Sequence, residues 1–374
     1  MDRKIRVLHV VSCLGTGGVE KFLLNIYRSM DKNSIQFDFL THRDGTLVEK
    51  EFISLGSQVY QLSFRRKHPF KSAIQAYKIF KNTEYDIIHF HGNIESVLQM
   101  FMAFLAGKKI RICHTHTFFI SPSFKKKIIN WISQRLLSLV GTHYFSCSRS
   151  AGEWGIGKRF KETGKCKVIY SGINIDEFKF NEEMRKRTRE KLGVKQNFVL
   201  GHIGRFMDEK NHEFVIKVFA DIAGKYDNSI LLLIGEGETK KNVENEIPIH
   251  LKEKVFFLGE RTDINELLMA MDVFIFPSKN EGLGMVLIEA QATGLSCYVS
   301  ENVPTDVKIS NLVTFLPINK GHELWSEAIK IQSTIRRWDY NSYIKNSGFD
   351  ITKGSGYLQE IYNKILHGED LSKC

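Results

Sequence analysis

The sequence predicts an α/β protein built as two Rossmann-like domains, each a parallel sheet wound with helices on both faces. Three observations carry this expectation. Strand-like and helix-like segments alternate from end to end, the pattern of consecutive βα units. Several of the strands are near-continuous apolar runs, as in sheets covered on both sides. The rhythm breaks once, over residues 171–197, a polar and highly charged stretch, and then restarts. A length of 374 residues also exceeds one ordinary core and suits two.

In order, IRVLHVVSC precedes the helical GGVEKFLLNIYRSM, then FDFLTH and a helix around Leu47 to Leu55. YDIIHFH, a helix through Val97 to Leu105, IRICHTH, a basic helical stretch and THYFSCS complete the first block. After the charged stretch come FVLGHIGRF, a helix over 211–226, SILLLIGEGE, KVFFLGE, MDVFIFP, a helix after Gly284, and CYVS. FDITKGSGYLQEIYNKIL closes the chain as a helix. In such sheets ligands bind outside the carboxyl ends of the strands, and a cleft between the two domains is the expected place.

Hydrophobic residues at 43% and charged residues at 25% exclude disorder, collagen and coiled coil for the whole chain. No apolar run approaches the roughly 20 residues of a spanning helix. The N-terminal apolar stretch ends in a glycine loop and reads as a first strand, not a signal peptide. Six scattered cysteines without CxxC spacing indicate neither a zinc site nor a disulfide framework, so a reducing cytoplasm is expected. Fifty-three basic against 42 acidic residues give +11, a surplus that wants an anionic partner: nucleic acid, a phosphorylated small molecule or a membrane surface.

The segment Glu281-Gly282-Leu283-Gly284-Met285 to Glu289 follows the apolar strand Val273–Phe276 and Pro277. Glu281 falls in the strand-to-helix loop and Glu289 within the helix. Eight residues at about 1.5 Å rise separate them by roughly 12 Å, a span for gripping two distant hydroxyl-bearing ends of one ligand. The helix start between them favours a phosphate, and Gly282 and Gly284 let the backbone approach closely. A bare E-x7-E is commonly a surface pair; its place after a strand and its flanking glycines favour the site.

Arg205 and Lys210 lie just after the strand FVLGHI and before a helix, where a guanidinium fork and a mobile ammonium suit a diphosphate; a solvated basic loop is the even alternative. Gly15-Thr16-Gly17-Gly18 follows the first strand but lacks GxGxxG spacing and a GK[ST] ending, which argues against NAD oxidoreductases and P-loop NTPases. Its amides suit an anionic donor or the acceptor, or form a plain tight turn. His89 and His91, His114 and His116 sit at the ends of two strands without an acidic or Cys partner; cleft-facing hydrogen bonding ranks above a metal. No DxD occurs, so a diphosphate here must be neutralised by side chains and helix ends without a metal. Lys125, Lys126 and Lys127 open an apolar stripe with Trp131, which either lies on an anionic membrane or packs on its own sheet.

Together GTGGVE, DIIHFHG, RICHTHT, GHIGRFMDEKNHEF, LLLIGEGE, VFFLGERTDINELLMAMDVFIFPS and EGLGMVLIEAQATGLSCYVS resemble the retaining glycosyltransferases of family 4. Within that family the chain is most similar to bacterial exopolysaccharide and capsule transferases, and the resemblance runs over nearly its whole length. It implies the GT-B fold, two Rossmann-like domains with parallel sheets facing a central cleft. The first is expected over 1–175 plus a crossing-back helix over 349–374, the second over 176–348.

The resemblance further implies metal-independent transfer, with retention, of a hexosyl group from a nucleotide-diphosphate sugar, usually a UDP-sugar, to a lipid-linked or glycan acceptor. Arg205 and Lys210 would neutralise the diphosphate, and Glu289 would take the ribose hydroxyls. Glu281 would hold the donor sugar with the amides of Gly282, Leu283, Gly284 and Met285. Glu260 would sit near the base, His116 by the reacting centre, and Gly17 and Gly18 by the diphosphate. The enzyme is expected in the cytoplasm, at the inner face of the membrane. Two alternatives stay open: a GT-B epimerase or hydrolase of UDP-sugars, and a non-catalytic binder of anionic glycan or nucleic acid. Against nucleic acid, no segment interleaves aromatic with basic residues as stacking on single strands needs.

Overall fold

The computed structural model describes residues 3–15, 17–42, 46–64, 67–92, 96–116, 123–157, 160, 165–331, 337 and 339–371. The chain divides into two compact units, Met1–Gly172 with Gly348–Cys374, and Ile173–Ser347. The sequence reading put these breaks at 175/176 and 348/349.

In the first unit β1 (Ile5–Val10), α1 (Gly18–Ser29), β2 (Ile35–Thr41), α2 (Leu47–Ser54), β3 (Val59–Gln61) and α3 (Pro69–Asn82) lead to β4 (Ile87–His91). There follow α4 (Val97–Leu105), β5 (Ile110–Thr115), α5 (Phe124–Val140), β6 (His143–Ser146), α6 (Arg149–Ile156) and β7 (Cys166–Val168). The strands form one sheet in the order β3-β2-β1-β4-β5-β6-β7, every pairing parallel. The chain starts in the middle and winds outward to both edges, so the strand order reverses between β1 and β4.

The second unit holds α7 (Ile175–Phe178), α8 (Glu182–Lys191), β8 (Phe198–Ile203), α9 (His212–Lys225), β9 (Ser229–Ile234), α10 (Lys240–Glu246) and β10 (Val255–Phe257). It continues through α11 (Ile264–Ala270), β11 (Val273–Phe276), α12 (Met285–Ala292), β12 (Ser296–Ser300), β13 (Val313–Leu316), α13 (His322–Ala328) and α14 (Asn341–Ser347). Its sheet runs β10-β9-β8-β11-β12-β13, also parallel, and reverses between β8 and β11. The last helix, α15 (Ile351–Leu366), belongs to the first unit, where Leu358, Ile361, Tyr362 and Ile365 enter the core beside Phe37 and Tyr27. The doubly wound α/β class is therefore the observed one.

The elements form where periodicity and end chemistry agree. Along α1, Phe22, Leu23, Ile26 and Tyr27 share one buried face, and Tyr27 stacks on Phe37 of β2 at 4.8 Å between centroids. Thr46, Ser148 and Asp350 cap α2, α6 and α15 through backbone amides of Glu49, Ala151 and Thr352 at 3.0, 3.1 and 3.0 Å. In the second core Trp325 is fully buried and its indole N–H donates to Pro317 O at 3.0 Å.

Residues 171–197, where the strand–helix rhythm breaks in the sequence, contain two helices. Asn174 and Asn181 cap α7 and α8, and two arginines of α8 anchor it to the second sheet. Arg185 donates to the carbonyls of Met269 and Met271, both at 2.8 Å, and Arg189 to Ala270 O at 2.7 Å and Asp272 at 3.2 Å. Asp272 also accepts the amide of Val199 at 2.7 Å, so the charges serve a buried ion-pair network. β3, β7, β13 and α3 were likewise absent from the sequence reading.

Candidate functional sites, one at each sheet's switch point

In the second unit the loops after β8, β9 and β10 are zipped together by backbone hydrogen bonds. Gly204 N donates to Ile234 O (3.0 Å), Phe206 N to Glu236 O (3.0 Å) and Gly235 N to Gly259 O (2.8 Å). A Cβ on Gly235 or Gly237 would collide with the backbone of Gly204 or Phe206, which is the physical reason for the GEGE sequence. This frame holds Arg205, whose guanidinium is exposed and has no side-chain partner among the described residues.

A short turn, Asp208–Lys210, ends at Asn211, left-handed at φ 58° and ψ 46°. It is the one non-glycine among the described residues with positive φ, and its side-chain amide donates to Pro277 O at 3.2 Å. Lys279 repeats the stitch, its amide donating to Glu209 O at 2.8 Å and its ammonium pairing with Asp208 at 2.6 Å. The loops after β8 and β11 are thus fastened side by side. In consequence the Lys210 ammonium forms an ion pair with Glu281, 5.1 Å from the centroid of the Phe276 ring.

Beyond Glu281 the chain turns at Gly284, left-handed at φ 91°, into α12. Gly282, Leu283 and Gly284 are buried, Met285 half-buried, and no side chain caps this helix start. Amides at a helix start without a side-chain cap favour an anion. Glu289 lies half-buried within α12. Glu260 is exposed in the loop after β10, beside an Arg261–Asp263 pair closed at 2.8 and 2.5 Å. The structure thus joins Lys210 to Glu281 directly, with Gly282 to Met285 continuing from it, and sets Arg205, Glu260 and Glu289 on neighbouring strand-end elements.

In the first unit Gly17 precedes α1 in extended conformation and Gly18 opens the helix, exposed. A Cβ on Gly17 would meet the carboxylate of Glu20, whereas one on Gly18 would meet nothing within 4 Å, so packing alone does not require glycine at 18. Thr16 lies outside the described residues. The histidines gather at this unit's own switch point, and a fifth, His9 of β1, joins them. His9 Nδ1 lies 2.9 Å from His91 Nε2, and His91 Nδ1 lies 2.9 Å from His116 Nε2. His89 bridges Tyr362 Oη (2.6 Å) and His114 Nδ1 (3.2 Å).

Burial pushes His9 and His116 down to about 3 and holds His89, His91 and His114 well below the usual histidine range, so all five are neutral near pH 7. The groups His9, His89, His91 and His91, His114, His116 each bring ligand nitrogens within 4.8 Å of one another, the residues that could hold a metal. No carboxylate or thiolate belongs to either group.

Sequence reasoning missed Asn211, the Asp208–Lys279 stitch and His9. His9 had a signal, a histidine inside an otherwise apolar strand. Asn211 had a weaker one, an asparagine directly before a helix.

Two doubly wound parallel sheets, each with polar residues clustered where its strand order reverses, are the architecture of the GT-B class, and the family matches identify the chain as a glycosyltransferase. Residues 16–177 match the family described as Glycosyltransferase Family 4, and residues 184–332 the one described as Glycosyl transferases group 1. The putative glycosyltransferase EpsF of Bacillus subtilis is 31% identical over 370 residues, 96% of each chain. The chain belongs to this glycosyltransferase family. A second relative is the UDP-Gal:α-D-GlcNAc-diphosphoundecaprenol α-1,3-galactosyltransferase of Escherichia coli, 28% identical over 79% of each chain. Among solved structures, Anabaena HepE in complex with UDP and glucose shares the fold at a TM-score of 0.76 and 18% identity, over 96% of this chain and 100% of that one.

Proposed function

We propose that this enzyme transfers a hexosyl group from a UDP-sugar to a lipid-linked glycan, with retention and without a metal ion, in the building of an exopolysaccharide or capsule. The observation that carries the reading is the Lys210–Glu281 pair, set at the strand-order reversal of the second sheet beside Arg205, which has no side-chain partner among the described residues, and a helix start without a side-chain cap. The strand-order reversal is where doubly wound sheets bind nucleotides. The galactosyltransferase relative uses a UDP-sugar and a diphosphoundecaprenol acceptor by its name, and HepE was solved with UDP; both support the donor class.

In this reading Arg205, Lys210 and the amides of Gly282 to Met285 take the diphosphate. Glu281 takes donor-sugar hydroxyls, Glu289 the ribose, and Glu260 lies toward the base. Gly17 and Gly18 serve the diphosphate and His116 the reacting centre. The anomeric C–O bond to the β-phosphate breaks, the acceptor oxygen attacks on the same face, and its proton passes to the departing phosphate oxygen. UDP and an α- or β-glycoside matching the donor result. Negative charge grows on the diphosphate as the bond breaks, so fixed cations and helix amides stabilise the transition state more than the ground state.

We also propose contact with an anionic membrane. Thirteen of the seventeen large apolar side chains exposed by the described residues lie on α3, α4 and α5, which pack side by side. On α5 the apolar stripe faces out, with Phe124 78%, Trp131 58% and Leu139 75% exposed, while Ser133 is buried. Only Leu137 and Val140 of its large apolar residues join the core, so most of its apolar surface faces out. Lys125 and Lys127 flank it; the side chain of Lys126 lies outside the described residues. Among the described residues no helix is long and apolar enough to cross a membrane, so the contact is a surface one.

Incubation with radiolabelled UDP-sugars and undecaprenyl-diphosphate-linked acceptor in EDTA tests the reading. Labelled lipid of unchanged anomeric configuration is expected. UDP-sugar turnover that ignores the acceptor, or turnover lost in EDTA, would overturn it.

A further inference from the structure

The five histidines are joined in an order that has chemical content. His9, His91 and His116 form one file, linked Nδ1 to Nε2 at 2.9 Å in each step. A neutral imidazole has one N–H and one lone pair. The protons of a neutral file must therefore all point the same way, toward His116 or away from it.

The inner end of the file decides. Among the described residues His9 Nε2 is buried without a hydrogen-bond partner. If the protons pointed toward His9, that nitrogen would carry an N–H with no acceptor. Pointed toward His116, it carries only an unused lone pair, the less costly orphan. Nδ1 of His9 then donates to His91, and Nδ1 of His91 donates to Nε2 of His116. His116 is left with its proton on Nδ1, the ring nitrogen that has no partner among the described residues. Ring flips are restrained, because His91 stacks on His89 at 4.4 Å and His116 lies 4.0 Å from His114.

We propose that His91, backed by His9, is a positioning residue that fixes His116 as the Nδ1–H tautomer, so that His116 meets its ligand as a hydrogen-bond donor and not as a base. A donor of this kind suits a sugar hydroxyl or carbonyl oxygen. The kinetic part of this inference rests on the role proposed above for His116; the tautomer itself does not.

The test is long-range 1H–15N NMR of the histidine rings in the full chain at pH 7.5, with assignment through His116→Gln. Wild type should show His116 protonated on Nδ1. His91→Leu should convert His116 to the Nε2–H form and lower kcat by about tenfold, the loss of one oriented hydrogen bond, with KM for the donor nearly unchanged. His91→Asn, whose side-chain N–H sits close to where Nδ1 of the imidazole was, should restore both.

An Nε2–H signal in wild type overturns the proposal, and so does a His116 tautomer indifferent to His91→Leu. Stoichiometric zinc retained by the purified chain, with His116 Nε2 shifted as a metal ligand, also overturns it. A protein with the expected tautomer but no sugar transfer in any variant would defeat the transferase reading and leave the histidine file intact.

Discussion

The ammonium of Lys210 is held by the carboxylate of Glu281, two side chains 71 positions apart that are each less than one-fifth exposed. The pair is partly desolvated, so removing one member leaves the other costly and free to seek a new partner. In the proposed roles the members serve different parts of the donor, Lys210 the diphosphate and Glu281 the sugar. Binding of the donor therefore has to loosen a contact that the protein makes with itself.

This makes the two alanine variants unequal. Glu281→Ala should reduce transfer by about 10²- to 10³-fold, the range for removing one transition-state contact, yet bind UDP as well as or better than wild type because Lys210 is released. Lys210→Ala should lose both. Isothermal titration with UDP beside kcat/KM for transfer reads the difference; equal UDP affinities in the two variants would refute the division of roles.

Arg205 offers a cleaner case. Its guanidinium is exposed and contacts no side chain among the described residues, so Arg205→Ala should shift stability by no more than about 0.5 kcal/mol. Transfer should nonetheless fall by about 10²-fold or more, with Arg205→Lys recovering only part because an ammonium lacks the bidentate fork. Denaturant melts and steady-state rates on the same preparations check it; a loss of activity that tracks a loss of stability would count against a direct role.

The architecture was legible because the inner strands are apolar runs that no other element imitates. FVLGHI, SILLLI and VFIF of the second sheet become β8, β9 and β11, all nearly buried throughout. The edges were not legible. β3 and β7 have three residues each, with none fully buried, so they carry no hydrophobic signal. The charged stretch 171–197 misled for a different reason: Arg185 and Arg189 find Asp272 more than eighty positions on, a pairing no local pattern contains. The same limit applies at the site. The strand-end position of Lys210 and Glu281 could be read, whereas their mutual contact depends on Asn211 bonding Pro277 and Lys279 bonding Glu209 across two distant loops.

The buried histidines set the acid limit of the fold. His9, His116, His143 and His202 are pushed down to between about 3 and 4, and His212 to about 2, chiefly by burial. Each unfolded histidine titrates near 6.5. Between that value and the folded one the unfolded chain binds more protons, so stability is fully present above about pH 6.5 and is lost as pH falls. Each such histidine contributes a slope of up to about 1.4 kcal/mol per pH unit. Urea midpoints should therefore fall steeply from pH 6.5 to 4, and His9→Phe should shallow the slope. A midpoint flat over that interval would show that these rings titrate normally.

The outward apolar stripe of α5 predicts where the protein touches lipid. Burying a leucine-sized side chain is worth about 1.5–3 kcal/mol, and a buried glutamate forfeits that and adds a charge penalty. Leu139→Glu and Phe124→Glu should each weaken binding to vesicles rich in phosphatidylglycerol by about tenfold or more. Ile249→Glu is the control, since Ile249 is 85% exposed but belongs to the second unit and not to the apolar face of α3, α4 and α5. Lys125 and Lys127 add a part that salt should screen, and neutral phosphatidylcholine vesicles should bind less at low salt than the anionic ones. Vesicle co-sedimentation across salt concentrations separates the two contributions. If Leu139→Glu and Ile249→Glu bind alike, the stripe is not the lipid contact; if wild type fails to sediment at all, the exposed face of α3 to α5 must be covered by something other than membrane.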